Sequence, residues 1–188
     1  FCTCDSQGKC FSQSVTEELG VPLRRIYGGE DYIQMIEHPR HGYGKNMNPC
    51  IDCRIYLFSK AREVMEEERA DFVFTGEVLG ERPMSQRREA MNLIERESNL
   101  NEKVLRPLSA KLLAPTLAER EGKIDREKLF DFQGRSRKPQ LELARRLGIR
   151  EFPTPAGGCL LTDQNFARKI KDSFIYKEDS LRHIHLLI

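Results

Sequence analysis

No stretch of the chain approaches the roughly 18 consecutive apolar residues of a membrane-spanning helix. No charged-then-apolar segment of the secretory type opens it. It has no internal repeat, no low-complexity tract and no grouping of Ser, His and Asp that would suggest a hydrolase triad. Net charge is only +2 over 188 residues, so charge alone does not announce nucleic acid. A single Cys-x-x-Cys pair is present, so a four-cysteine zinc site lacks its second half. What is there has the balance of a globular enzyme, 39% apolar and 32% charged, in a length that suits one domain or somewhat more. Six cysteines are too few for a secreted disulfide scaffold of this size. The expected setting is therefore cytoplasmic, with thiols serving as metal ligands or reactive groups.

Local signals divide the chain clearly. Ser12 to Leu19 reads as a helix stopped by Gly20, and Val21 to Tyr27 as a strand ended by Gly28-Gly29. Glu30 to Glu37 suits a helix that His38-Pro39 terminates. Arg54 to Glu68 is amphipathic, with Ile55, Phe58, Ala61, Val64 and Met65 on one face. Phe72-Val73-Phe74 follows as a predicted short buried strand, and Thr75-Gly76 turns the chain. Helices are expected over Ser85 to Glu97, from Asp125 through Phe130, over Pro139 to Leu147 with Gly148 as its stop, and from Thr162 or Asp163 to about Lys171. Val104-Leu105 suits a short strand, and Thr116 to Glu119 a capping box. Ser180 to Ile188 alternates without an end signal. A helix, a strand and a glycine turn in that order suggest a βαβ unit with a parallel sheet. Ligands of such sheets sit beyond the carboxyl ends of the strands, which marks Thr75, Gly76 and Glu77 as a candidate site.

The strongest chemical signal is Asn48-Pro49-Cys50-Ile51-Asp52-Cys53 opening a helix. The helix macrodipole favours thiolate there, and two nearby sulfurs suit zinc, an iron–sulfur cluster, or redox and persulfide chemistry. Far downstream, Pro153-Thr154-Pro155-Ala156-Gly157-Gly158-Cys159 reads as a loop that delivers a third thiol, though a buried cysteine in a tight turn is the plainer account. Cys2, Cys4 and Cys10 form a further cluster near the start, and His38 and His41 flank the loop before Cys50. Basic residues gather at Arg82, Arg87 and Arg88, at Arg135, Arg137 and Lys138, and at Arg145, Arg146 and Arg150. Such clusters suit a phosphate-contacting surface, and a solvated helix face accounts for any one of them equally well.

Taken in order, these segments resemble the PP-loop ATP pyrophosphatase superfamily, and within it the tRNA thiouridylases that make 2-thiouridine or 4-thiouridine. Asn48 to Ala61 is similar to the Asn-Pro-Cys segment of bacterial tRNA 2-thiouridine synthases. Phe72 to Gly76 resembles the strand and Thr-Gly turn that follows it, and Arg106-Pro107-Leu108 resembles the step before the next helix. Gly157-Gly158-Cys159 falls where the family keeps its distant sulfur-handling cysteine. The strings from Gly76 to Gln86 and from Gly134 to Arg137 look like a thiouridylase-like subgroup. The resemblance runs from about Ser12 to Lys171.

It implies a Rossmann-like, adenine nucleotide alpha-hydrolase-like parallel sheet flanked by helices, with a mostly helical C-terminal part. The domains expected are 1–112, a partial pyrophosphatase core, and 113–188, which carries basic residues and the distant cysteine. The implied activity is ATP-dependent tRNA sulfurtransfer: adenylation of a uridine oxygen, then displacement of AMP by a cysteine persulfide or cluster-bound sulfide. Cys50, Cys53 and Cys159 would be catalytic and would hold a [4Fe-4S] cluster, with zinc the lesser choice. Thr75, Gly76 and Glu77 would approach ATP and its Mg, while Arg87, Arg88, Arg135, Arg137 and Lys138 would contact tRNA. Partners are tRNA and a sulfur-donor protein or sulfide, with no membrane.

One departure matters. The superfamily's Ser-Gly-Gly-x-Asp-Ser loop is absent from the 188 residues, and Gly42-Tyr43-Gly44-Lys45 lacks the spacing to replace it. The chain is therefore expected to begin downstream of that loop and to bind ATP weakly or not at all. Two other readings stay open: a non-catalytic, metal-stabilised RNA-binding module, and a PP-loop enzyme acting on a small molecule.

Overall fold

Seven α-helices, three 3₁₀ turns and two short strands account for the regular structure of the described residues. The structure is a computed structural model that describes residues 11–149 and 159–176. By internal contacts these form two compact units. The first comprises 11–27, 137–149 and Cys159; the second comprises 28–136 and 160–176.

In the first unit, α1 (Phe11–Leu19) ends where Gly20 takes a left-handed φ of 64°, and Val21 N–H turns back to the Thr16 carbonyl at 3.0 Å. The strand expected over Val21 to Tyr27 is not formed; the segment is irregular and exposed throughout. Its β-branched and aromatic residues carry strand propensity, but propensity without a paired neighbour does not make a ladder. The unit's other helix is α6 (Lys138–Arg146).

The second unit is built around α3. Its helix α2 (Glu30–Glu37) buries Tyr32, Ile33 and Ile36 and stops before Pro39. Helix α3 (Cys50–Glu67) is apolar on two sides. Phe58 and Met65, with Ile51 and Ile55, pack on Ile94, Leu100, Val104 and Val73. Cys53 and Tyr56 instead join Tyr32, Ile36, Leu161, Ile170, Phe166 and Phe174. Those last residues come largely from α2 and from α7 (Gln164–Ile175), whose first turn is capped by Asp163.

Strand β1 (Val73–Phe74) pairs in parallel with β2 (Val104–Leu105), in the register Val73 to Val104 and Phe74 to Leu105. Helix α4 (Arg88–Glu97) lies between them in sequence, so the expected βαβ unit is present as two strands. Alternation turns Val73 to the α3 core and leaves Phe74 on the other face, where it is 71% exposed rather than buried. Helix α4 also starts later than the sequence suggests. Ser85 and Gln86 are buried in the preceding loop, where the Gln86 carbonyl and side chain hold Gly80 N–H and Arg82 N–H. Helix α5 (Leu117–Arg120) has the predicted capping box between Thr116 and Glu119. Asp125 caps a single 3₁₀ turn, Arg126–Lys128, and no longer helix. No helix among the described residues is long and apolar enough to cross a membrane.

Candidate thiol site at the carboxyl end of the strands

Pro49 directly precedes α3, so Cys50 opens its first turn, where backbone N–H groups lack helical partners, and Cys53 follows one turn on with its N–H donating to the Pro49 carbonyl at 2.8 Å. The acid between them is part of the architecture. Asp52 is 6% exposed, and its two carboxylate oxygens accept from Arg40 N–H at 3.1 Å and His41 N–H at 3.0 Å. A carboxylate in the first turn also complements the helix dipole. The loop before the cysteines is therefore tied to the helix that carries them.

Further contacts hold that loop. The His41 imidazole meets Glu97 at 3.0 Å, and that hydrogen bond is the main reason the Glu97 carboxyl lies below its ordinary range. A Cβ on Gly44 would come within 3.2 Å of Met84, so the loop packs closely on the loop that follows β1. Asn46 and Met47 donate to the Thr162 and Leu161 carbonyls, at 2.7 and 3.2 Å.

The helix start reaches the strand ends through one arginine. Arg54 Nε lies 3.6 Å from Glu77 Oε1, and Glu77 follows β1 beyond Thr75-Gly76. Arg106, which follows β2, donates from Nε to Glu77 Oε2 at 3.0 Å and from Nη1 to Glu95. Glu77 and Arg106 are each 4% exposed. Glu77 Oε1 and Arg106 Nη2 make no hydrogen bond, so Glu77 and Arg106 are joined by a single one. At about 100° per residue, Cys50 projects between Cys53, on the α2 side, and Arg54, on the Glu77 side.

The predicted site residues thus divide. Thr75 accepts from Glu77 N–H at 3.3 Å, and a Cβ on Gly76 would meet nothing within 4 Å, so backbone at the turn is open to approach. Glu77 is buried and paired with Arg54 and Arg106. Cys50 and Cys53 are half-buried and Cys159 is exposed. Arg87 and Arg88 are exposed at the start of α4, with Arg88 donating to the Leu112 carbonyl. Arg135 is exposed on the loop where Gly134 N–H bonds the Leu79 carbonyl at 2.7 Å, so it stands beside the loop leading to Arg87. Arg137 and Lys138 open α6 in the other unit. Cys2, Cys4, Cys10, Arg150, the run from Pro153 to Gly158, and Ser180 to Ile188 lie outside the described residues.

The chain matches no family model, no curated protein and no solved structure.

The groups implied by the resemblance fit unequally. For ATP and Mg the fit is partial: the Thr75-Gly76 turn offers open backbone, the Glu77 carboxylate is buried and paired with Arg54 and Arg106, and the 188 residues hold no phosphate loop. For a cluster the donor chemistry fits in part. Cys50 and Cys53 offer two soft ligands from one helical turn, while no group of three His, Cys, Asp or Glu side chains is assembled among the described residues. Sequence reading quoted Asp52 and Arg106 within motifs without giving them a part in the site, and gave none to Arg54 or Tyr32. Asp52 had a visible signal, an acid in a helical first turn; the others depend on tertiary contacts that no local pattern encodes.

Proposed function

We propose that the chain is the sulfur-handling part of an ATP-dependent tRNA thiolating enzyme of the cytoplasm, with a Rossmann-like sheet at its centre. The observation that carries this reading is the Cys50–Cys53 pair at the start of α3, joined through Arg54 and Glu77 to the carboxyl ends of two parallel strands. That end of such a unit is where ligands meet the protein. The helix N-terminus favours thiolate, the form that attacks, accepts sulfur or ligates iron.

Cys50 and Cys53, with Cys159 as the third thiol, would hold a cluster or carry the sulfur as a persulfide. An iron without a cysteine ligand supplies a place for exogenous sulfide. The open Gly76 backbone leaves room for a nucleotide to approach. Arg87, Arg88 and Arg135 lie along the same loops as basic contacts for the RNA backbone, and Arg137 and Lys138 extend the basic run in sequence. Arg137 and Lys138 stand at the positive end of the α6 dipole, where a cation gains nothing from the dipole itself.

The test is sulfur uptake together with RNA binding by the intact chain. Exposure to a persulfide donor, or anaerobic reconstitution with iron and sulfide, should load sulfur that Cys50→Ser and Cys53→Ser abolish, and tRNA should be retained. Zinc held by four protein ligands, with no sulfur uptake, would make the protein a binding module instead.

A further inference from the structure

Arg54 stands one turn after Cys50 on α3, and residues four apart on a helix share a face. Its Nε lies 3.6 Å from Glu77 Oε1, an ion pair too long for a hydrogen bond. Glu77 Oε1 is itself buried and accepts no hydrogen bond. Arg54 therefore has a free acceptor beside it and does not close on it. Its side chain is 30% exposed, and none of its guanidinium nitrogens is buried or donates to a protein group among the described residues. An arginine serving only the fold would turn its fork onto the carboxylate, as Arg106 does with Nε to Glu77 and Nη1 to Glu95.

The neighbours of Arg54 suit an anion. Glu77 and Glu95 share the buried Arg106, and Arg54 brings the fourth charge, so the group is neutral as a whole and sets no repulsion against a negative ligand. Glu77 and Arg106 stand just beyond the paired ends of β1 and β2, the end of a parallel sheet where ligands meet the protein. Gly76, the residue before Glu77, is exposed, and its N–H is unbonded among the described residues. A Cβ there would meet nothing within 4 Å.

We propose that Arg54 binds a phosphate group through its free Nη pair, one helical turn from Cys50, where the open Gly76 backbone lets the ligand approach. A guanidinium meets two phosphate oxygens at once, a match that an ammonium cannot reproduce. The phosphate belongs to a nucleotide or to an RNA backbone, which offer the fork the same oxygens. Holding it there keeps the sulfur acceptor beside the thiol that serves it. That purpose rests on the sulfur chemistry proposed above, but its measurement needs no sulfur.

The experiment is modification of arginines by phenylglyoxal in the full chain, read by peptide mass spectrometry. It is run without ligand, with AMP, and with a uridine-containing RNA oligonucleotide, all at matched ionic strength. Arg54 should react, since its nitrogens are open, and a phosphate ligand should protect it. Protection by AMP alone assigns the site to a nucleotide, by the oligonucleotide alone to an RNA backbone, and by both to the phosphate as such. Arg62, farther along α3 and bound to Glu66 at 2.9 Å, is the control and should keep its rate. Arg54→Gln should weaken binding of the protecting ligand by about tenfold. Arg54→Lys, which keeps the charge and loses the fork, should recover only part of that loss. No protection by either ligand overturns the proposal, and so does equal protection of Arg62, because general shielding then accounts for the effect. Binding by Arg54→Gln as tight as the parent's overturns it too. Should that variant fail to fold, protection in the parent chain still decides. Failure of sulfur uptake with protection intact would sink the proposed function and leave the role of Arg54 standing.

Discussion

Arg54, the residue after Cys53, places its Nε 3.6 Å from Glu77 Oε1, and this contact joins the cysteine-bearing helix to the end of β1. Glu77 also takes the Nε of buried Arg106 at 3.0 Å. One carboxylate therefore neutralises two arginines that approach from a helix and a strand end. Glu77→Ala should destabilise the fold by about 2–3 kcal/mol, because the buried Arg106 loses the partner of its Nε and keeps only Glu95. Urea unfolding reads this directly. A loss below about 1 kcal/mol would mean that Glu77 is available to a ligand after all, as first expected of it.

Helix α3 ends in a manner its sequence hides. Arg69 adopts a left-handed φ of 53°, and Ala70 N–H returns to the Met65 carbonyl at 2.8 Å. This is the C-terminal motif that usually takes glycine, because a Cβ there crowds the backbone. Arg69→Gly should stabilise the protein by about 1 kcal/mol, seen as a raised thermal midpoint. A lower midpoint would show that the Arg69 side chain contributes more than the backbone strain it imposes.

The same helix ends show what was legible in the sequence. Gly20 and Gly148 announced their left-handed stops, with φ of 64° and 73°, because glycine is the residue that needs no compensation there. Arg69 and Asn99 do the same work with φ of 53° and 56°, and nothing local marks Arg69. Helices α2 and α3, the Thr116 capping box and the β1–β2 pair could be read because periodicity and capping act over a few residues. The exposure of Phe74 and the irregular Val21 to Tyr27 segment could not, since pairing and cover are decided by distant chain. The candidate site was legible as residue types. Its internal ion network was not, since it joins residues far apart in sequence.

Acid sensitivity should concentrate at Glu119. One carboxylate oxygen takes Thr116 N–H at 2.8 Å, and the other takes Arg126 Nη1 at 2.6 Å. Burial pushes this carboxyl up, but the Thr116 and Arg126 contacts outweigh it and hold it below its ordinary range. A depressed folded value means that the stabilisation is fully present above the unfolded value. It is lost as pH falls through the folded one. Glu119→Gln should therefore lower the thermal midpoint at neutral pH, and the gap from the parent should narrow as pH falls from about 5 toward 3. A gap constant across that range would mean the loss is one of shape and packing, with no part due to charge.

RNA contact, if it runs along the basic loops, has a signature that structure alone does not carry. Arg135 is exposed beside the loop that leads to Arg87, and Lys138 is exposed at the first position of α6. Arg135, Arg137 and Lys138 lie close together in sequence. Phosphate contacts release counterions, so each one steepens the fall of affinity with salt. Replacing these three by Ala should weaken tRNA binding by a similar factor across tRNA sequences. It should also flatten the slope of log affinity against log salt by about 0.7–0.9 per lost contact. Arg145→Ala and Arg146→Ala serve as the comparison, since both side chains sit in the last turn of α6, where the helix dipole itself accounts for a positive charge. Their removal should lower helix stability slightly and leave the salt slope in place. A slope unchanged by the first three substitutions would return that cluster to the role of a solvated surface. Arg87 and Arg88, at the start of α4, would then be the remaining basic contacts for RNA.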